Sequence, residues 1–305
     1  MIQTNHLTKR YGAKLAVDDL SITVEPGRVT GFLGPNGAGK STTMRLIMGL
    51  DHPTSGSVTV NGMPYDKLKS PLHEVGALLD AKAANPGRSA RNHLRVMAAT
   101  EGIAAKRVDE VLEMTGLTSV ASKPVGNFSL GMSQRLGIAT ALLGDPKTLI
   151  LDEPVNGLDV EGVLWVRGLV KAQAAAGKTV FLSSHLMSEM EQVADHLVIL
   201  GRGRLLAEKP MAQFIAESSG TSTRVASPQA TAIAETARGA GYPVTPLETG
   251  VLLVNGWAAD QLGQTAAMNG WVLHELTPLQ MSLEDAYRKL TEGVGEYVGT
   301  RETSA

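Results

Sequence analysis

The 305-residue chain predicts an α/β core with a helical insert, followed by a small α+β domain. Three observations carry that prediction. The run Gly34-Pro35-Asn36-Gly37-Ala38-Gly39-Lys40-Ser41 fills every fixed position of the pattern G-x-x-x-x-G-K-[ST], between a short apolar strand and the opening of a helix. Strand-like and helix-like runs then alternate from Thr148 to Leu200. Beyond a polar, small-residue stretch at 217–222, the order becomes β-α-β-β-α-β.

The early strands are Ile2–Leu7, Leu15–Val24, Val29–Leu33 and Ser57–Asn61, punctuated by Gly27, the Pro53-Thr54-Ser55-Gly56 turn and Gly62. From Ala81 to Leu143 the period turns helical. Leu94, Met97 and Ala98 share one face of Ala90–Thr100, and Val108, Val111 and Leu112 share one face of Ala105–Met114. Alternation resumes with a strand at Thr148–Leu151, a helix at Val160–Ala176, a strand at Thr179–Ser183, a helix at Leu186–Ala194 and a strand at Leu197–Leu200. The tail reads as strand Ser222–Ala226, helix Gln229–Ala240, strands Val244–Leu247 and Val251–Asn255, helix Ala258–Met268, strand Val272–Leu276 and a last helix Leu283–Leu290. The expected division is 1–216 with the helical insert at about 82–143, a linker at 217–222, and a ferredoxin-like accessory domain at 223–305.

Composition narrows the function. Hydrophobic residues make up 43% and charged residues 19%, which suits a packed globular chain rather than a disordered one. A net charge of −2 argues against a nucleic-acid partner held by bulk positive charge. There is no cysteine, so disulfide and thiolate chemistry are excluded. The N-terminal residues lack a signal-peptide layout, and no apolar run approaches the ~20 residues that span a bilayer. Membrane work would need a second, membrane-spanning chain.

The glycine-rich run is built for polyphosphate. Glycines at 34, 37 and 39 let backbone N–H groups turn inward, and the following helix adds its unpaired N–H groups. Lys40 reaches the β- and γ-phosphates, and the Ser41 hydroxyl is a Mg²⁺ ligand. Pro35, Asn36, Ala38 and Thr42 complete the cradle. A glycine turn that merely precedes a helix is the plain alternative, but it does not require every fixed position to be filled. Downstream, Thr148-Leu149-Ile150-Leu151-Asp152-Glu153 is an apolar strand ending in two carboxylates. Asp152 is placed to hold Mg²⁺ opposite the phosphate loop, and Glu153 to act as general base on a water.

Phe128-Ser129-Leu130-Gly131-Met132-Ser133-Gln134-Arg135 then resembles the signature of the ATP-binding-cassette (ABC) family, L-S-G-G-Q followed by x-Q-R. Ser129, Gly131, Gln134 and Arg135 match, Phe128 is a common variant, and Leu130 and Met132 depart from the commonest form. Gly157-Leu158-Asp159 resembles the family's D-loop, Ser183-Ser184-His185 its switch histidine, and Tyr11 its adenine-stacking aromatic. A packed core tyrosine is the alternative for Tyr11. His6, His52, His73, His93, His196 and His274 carry no such spacing and read as surface or capping residues.

The resemblance, over residues 1–215, implies a P-loop NTPase of ABC type with a mixed-sheet core, an antiparallel β subdomain and a helical subdomain. It implies ATP and Mg²⁺ as ligands, and a dimer in which Ser129, Gly131, Met132 and Asp159 act on ATP held by the other protomer. Val75-Gly76-Ala77-Leu78-Leu79-Asp80 aligns with the loop that usually ends in glutamine. An acid there resembles the bacitracin- and lantibiotic-exporter branch, and Asp80 is either a metal ligand or an ordinary loop acid. Ser282–Thr291 resembles that branch's accessory domain. The implied protein is an ATPase at the inner face of the cell membrane. It works as a homodimer, or with a homologous subunit, and drives a separately encoded permease that exports a drug, antibiotic or other hydrophobic compound. Two rivals are an ABC ATPase acting on DNA or ribosomes and an ATP-binding switch without turnover. The first lacks its usual coiled coils, cysteines or second cassette here, and Glu153 and His185 speak against the second.

Overall fold

The computed structural model describes residues 1–218, 222–279 and 282–291. Two compact units divide at Met211/Ala212, earlier than the expected 216/217 boundary. Residues 219–221 of the expected linker, and 292–305 of the expected accessory domain, lie outside the described residues.

The first unit opens with β1 (Ile2–Tyr11), β2 (Lys14–Val24), β3 (Val29–Leu33), α1 (Lys40–Ile47) and β4 (Ser55–Val60). It continues with α2 (Pro71–Glu74), β5 (Val75–Leu78), α3 (Ala90–Thr100), α4 (Ala105–Met114), α5 (Leu130–Leu142) and β6 (Thr148–Leu151). Then come α6 (Val160–Ala175), β7 (Thr179–Ser183), α7 (Met187–Val193), β8 (His196–Gly201) and β9 (Arg204–Pro210). β2, β1 and β4 form an antiparallel sheet in that order. The main sheet runs β5-β6-β7-β3-β8-β9, parallel throughout except for the β8–β9 hairpin. Every residue of β3, β6, β7 and β8 is buried. Strands covered on both faces read as continuous apolar runs, which is why these segments stood out in the sequence. One core joins the two sheets through α1, with Phe32 and Phe181 tilted together at 4.7 Å.

Two strands went unrecognised. β5 is four residues long and pairs with β6 at the sheet edge. β9 reads Arg204-Leu205-Leu206-Ala207-Glu208-Lys209-Pro210, with no strict alternation and a half-exposed middle, and pairing with β8 defines it. The two-residue Arg202-Gly203 loop between them has φ values of 50° and 82°, as a tight hairpin with right-handed twist requires.

The second unit holds α8 (Met211–Ser218, from Ala212), β10 (Ser222–Ala226), α9 (Ala230–Gly239), β11 (Val244–Glu248), β12 (Val251–Asn255), α10 (Ala259–Met268), β13 (Glu275–Leu279) and α11 (Leu283–Thr291, as far as Leu290). Its antiparallel sheet has the order β11-β12-β10-β13, the strand order of a split β-α-β-β-α-β unit. The last strand corrects the expected Val272–Leu276. Trp271 and Leu273 instead pack on the core as irregular chain, and the ladder begins at Glu275 opposite Ala226.

Candidate functional site

The parallel strands β3, β5, β6 and β7 point their C-terminal ends to one edge of the main sheet, and Lys40, Ser41, Asp152, Glu153 and His185 follow those ends. β3 leads into the glycine-rich loop, and α1 begins at Lys40. Gly37 and Gly39 have φ values of 81° and 102°, where side chains are strained. A Cβ on Gly39 would lie 2.4 Å from the Ala16 carbonyl oxygen, so no larger residue fits. No side chain caps α1, which leaves its first N–H groups to an anion. The Lys40 ammonium turns back over the loop and donates to the Gly34 and Pro35 carbonyls at 2.6 and 3.3 Å. Burial lowers the Lys40 pKa, while the Glu153 and Asp152 carboxylates oppose that shift. An open cavity lies against the loop, lined by residues 36–42 together with Lys14 and Ala16.

At the end of β6 the two carboxylates part. Asp152 Oδ2 accepts from the Ser41 hydroxyl at 2.9 Å, and its Oδ1 accepts from the Ser183 hydroxyl. The Asp152 N–H donates to Leu78 O at 2.7 Å, which ties the end of β5 to the site. Glu153 takes a left-handed backbone, φ 50°. Its N–H donates to Ser183 Oγ at 3.0 Å, and its carbonyl accepts from Gln134 Nε2 at 2.7 Å. The Glu153 carboxylate lies 2.6 Å from His185 Nδ1 and accepts the His185 backbone N–H at 3.2 Å. The structure therefore brings Lys40, Ser41, Asp152, Glu153 and His185 together.

Ser129 and Asp159 sit apart from that network as helix caps. Ser129 Oγ accepts from Met132 N at 3.2 Å, and Asp159 Oδ1 from Gly162 N at 2.9 Å. Gly131 packs so closely on the loop before α6 that a Cβ there would lie 2.8 Å from Gly157 O. Leu130, Val160 and Leu164 around these caps are exposed, Val160 at 79%.

Tyr11 is 45% exposed, which overturns the packed-core alternative. Its hydroxyl donates to Asp51 Oδ2 at 2.9 Å, an oxygen that also accepts from Arg45 Nε at 2.7 Å. Lys9 Nζ stands 4.8 Å from the ring centroid. Partial desolvation and the bond to Asp51 raise the phenol pKa. Asp80 Oδ1 accepts from Lys82 N at 2.8 Å, so at least one oxygen closes its own turn.

Sequence reasoning missed Lys14 and Ala16 on the cavity wall, Asp51 behind Tyr11, and the bonds of Gln134 and Ser183 to Glu153. Ser183 left a signal as a hydroxyl ending a mainly apolar strand, and Gln134 left one as a match to the signature pattern. Among the described residues no group of three or more His, Cys, Asp or Glu is arranged to hold a metal. The Ser41–Asp152 oxygen pair nevertheless fits Mg²⁺, which takes one or two protein ligands and completes its shell with water and phosphate oxygens.

The family model described as "ABC transporter" matches residues 17–156, and one described as "Domain of unknown function (DUF8746)" matches 221–284. The chain is 46% identical to the bacitracin transport ATP-binding protein BcrA of Bacillus licheniformis over 213 residues, 69% of this chain and 70% of that one. It is 32% identical to the BcrA of Enterococcus faecalis over 303 residues, 97% of each. A solved structure titled as the ATP-binding subunit of an ABC transporter aligns with a TM-score of 0.66 and 27% identity, covering 71% of this chain and 92% of that one. The chain belongs to the ABC transporter family, as one of its ATP-binding, ATP-hydrolysing subunits.

Proposed function

We propose that this ATPase powers the export of an antibiotic or similar hydrophobic compound through a separately encoded integral-membrane permease, and that it docks to that permease at the inner face of the membrane. The similarity to two bacitracin transport ATP-binding proteins supports the export reading. No helix among the described residues is long and apolar enough to cross a membrane, so the spanning part would be another chain. Residues 212–290 would be an accessory domain that supports assembly and adds no group to ATP chemistry.

In the nucleotide site Lys40 holds the β- and γ-phosphates within the 34–42 loop, and Tyr11 stacks on adenine through the face away from Lys9. Ser41 and Asp152 are the protein ligands of Mg²⁺, with Asp80 near them. Mg²⁺, when bound, neutralises phosphate charge and orients the transferred group. Glu153 takes the proton of the attacking water, and His185 keeps that carboxylate aimed. The single observation that carries this reading is the geometry around Glu153. Its carboxylate is held 2.6 Å from His185 Nδ1, while its backbone neighbour Asp152 faces the phosphate-loop hydroxyl.

One chain holds one phosphate loop and one signature, so two complete sites need two copies or a homologous partner. Exposed Leu130, Val160 and Leu164 around the Ser129 and Asp159 caps support a partner there. Ser129, Gly131, Met132 and Asp159 would then face the partner's ATP.

Glu153→Gln tests both parts. Turnover should fall by ~10²–10⁴-fold with ATP binding kept, and light scattering should show an ATP-trapped dimer. Adding Ser129→Arg should dissolve that dimer. Turnover within about threefold of wild type would remove Glu153 as the base, and a double mutant that dimerises equally well would remove Ser129 from the interface. For the transport role, co-expression with the candidate permease should raise the tolerated dose of a peptide antibiotic only when Lys40 and Glu153 are intact.

A further inference from the structure

We propose that Ser183 is a positioning residue that fixes the Asp152 and Glu153 carboxylates as one rigid unit, an inference that rests on the metal-ligand and base roles given to them above. Ser183 is the last residue of β7 and is fully buried. β3 holds it in register opposite Phe32, and β6 holds its neighbour Leu182 opposite Leu151. Its side chain therefore leaves the sheet from a fixed place. Thr179-Val180-Phe181-Leu182 ahead of it is a mainly apolar run, and a hydroxyl buried at the end of such a strand requires partners.

Both partners belong to the two acidic residues. The Ser183 O–H donates to Asp152 Oδ1, and Ser183 Oγ accepts the Glu153 N–H at 3.0 Å. Asp152 Oδ2 is held from the other side by Ser41 at 2.9 Å. Two hydroxyls thus set the plane of the Asp152 carboxylate, one from the phosphate loop and one from β7. The same Ser183 oxygen anchors the N-terminal side of Glu153, whose left-handed φ of 50° is unfavourable for a residue with a Cβ. Buried Gln134 anchors the other side, donating to the Glu153 carbonyl at 2.7 Å. Asn156 N donates to that same carbonyl at 3.2 Å. Gln134 touches Glu153 only through that carbonyl, whereas Ser183 touches both acidic residues. Groups that orient a metal ligand without touching the metal commonly change metal affinity or activity by ~10–100-fold when lost. Removing the Ser183 hydroxyl should therefore loosen the metal ligand and misalign the base together.

The test compares Ser183→Ala, Ser183→Thr and Gln134→Leu by fluorescence binding of an N-methylanthraniloyl-ATP probe, with and without Mg²⁺, and by steady-state turnover. Ser183→Ala should bind the probe within about twofold of wild type without Mg²⁺, because Lys40 and its loop are untouched. Its half-saturating Mg²⁺ concentration should rise about tenfold, and kcat should fall about tenfold or more. Ser183→Thr, which keeps the hydroxyl, should restore both to within about threefold. Gln134→Leu should lower kcat and leave the Mg²⁺ dependence unchanged.

Wild-type Mg²⁺ dependence and kcat in Ser183→Ala would overturn the proposal. So would a parallel loss of Mg²⁺-free binding in Ser183→Ala and Ser183→Thr, which would make Ser183 merely a packing residue. Should Glu153→Gln keep wild-type turnover while Ser183→Ala still shifts the Mg²⁺ dependence, the base assignment fails and the hold of Ser183 on Asp152 stands.

Discussion

The two compact units differ in where their sheets send polar side chains. In the first, parallel strands bring their C-terminal ends to one edge, so residues distant in sequence meet there. Asp152 and Glu153 after β6, Ser183 and His185 at the end of β7, and Ser41 beyond β3 form one connected network at that edge. In the second, neighbouring strands alternate in direction and their ends scatter to both edges. Two of its polar contacts tie the fold together. Buried Thr223 Oγ1 donates to the Trp257 carbonyl at 2.7 Å, and Arg224 pairs with Glu275 across β10 and β13 at 3.4 Å. Tyr242 stacks on Trp257 at 5.2 Å above a core of Val225, Ile233, Leu252, Val254 and Leu262. Strand direction therefore separates a unit that concentrates chemistry from one that distributes packing.

The largest effect expected from that contrast is at Lys40. Lys40→Ala removes a half-buried cation from the proposed phosphate-binding loop and should weaken ATP binding by ~100-fold or more. Titration calorimetry checks this, and an affinity within threefold of wild type would break the first half of the comparison.

Trp257→Ala is the converse experiment. Loss of a 6%-exposed ring from the second core should cost that unit about 3–5 kcal/mol while ATP affinity stays within about twofold. Denaturant unfolding monitored beside nucleotide binding separates the two readouts. A matching fall in ATP affinity would mean that the units do not divide chemistry from packing as described.

A smaller effect concerns acid stability of the first unit. His196, expected from the sequence to be a surface or capping residue, is instead buried in β8 at 8% exposure, and its Nδ1 has no hydrogen-bond partner. Burial lowers its pKa, Arg28 lowers it further, and Glu25 opposes the shift. The unfolded chain therefore takes up a proton near the ordinary value of about 6.5 while the folded chain still resists it. This contribution is present above about pH 6.5 and is lost as pH falls from there toward the folded pKa. Melting temperature should decline more steeply below that pH in wild type than in His196→Gln. Identical profiles would remove His196 as the cause.

The smallest effects are expected at the rim. Tyr11→Phe keeps the ring and loses only the bond to Asp51, so ATP affinity should change less than about threefold, while Tyr11→Ala should lose about tenfold. Asp80→Asn retains an acceptor for Lys82 N, so the turn should persist. A raised Mg²⁺ requirement would then report a role near the metal, and an unchanged one would leave Asp80 an ordinary loop acid.

What the sequence alone determined was local. The glycine-rich loop, the apolar strand ending at Asp152 and Glu153, and the helix periods at 90–100 and 105–114 are legible because each depends on a few consecutive residues and on double-sided burial. Tertiary structure decided what depends on partners. Pro278 argues against a strand in the sequence, yet β13 lies at the sheet edge, where a missing N–H is tolerated, and pairing with β10 draws the ladder to Glu275–Leu279. β9 exists because β8 offers it a ladder, and β5 because the edge of β6 does. The bonds of Gln134 and Ser183 to Glu153 join residues 19 and 30 positions apart, a separation that no local pattern records. Motifs are written in consecutive residues, whereas register and side-chain convergence arise only when distant strands pair.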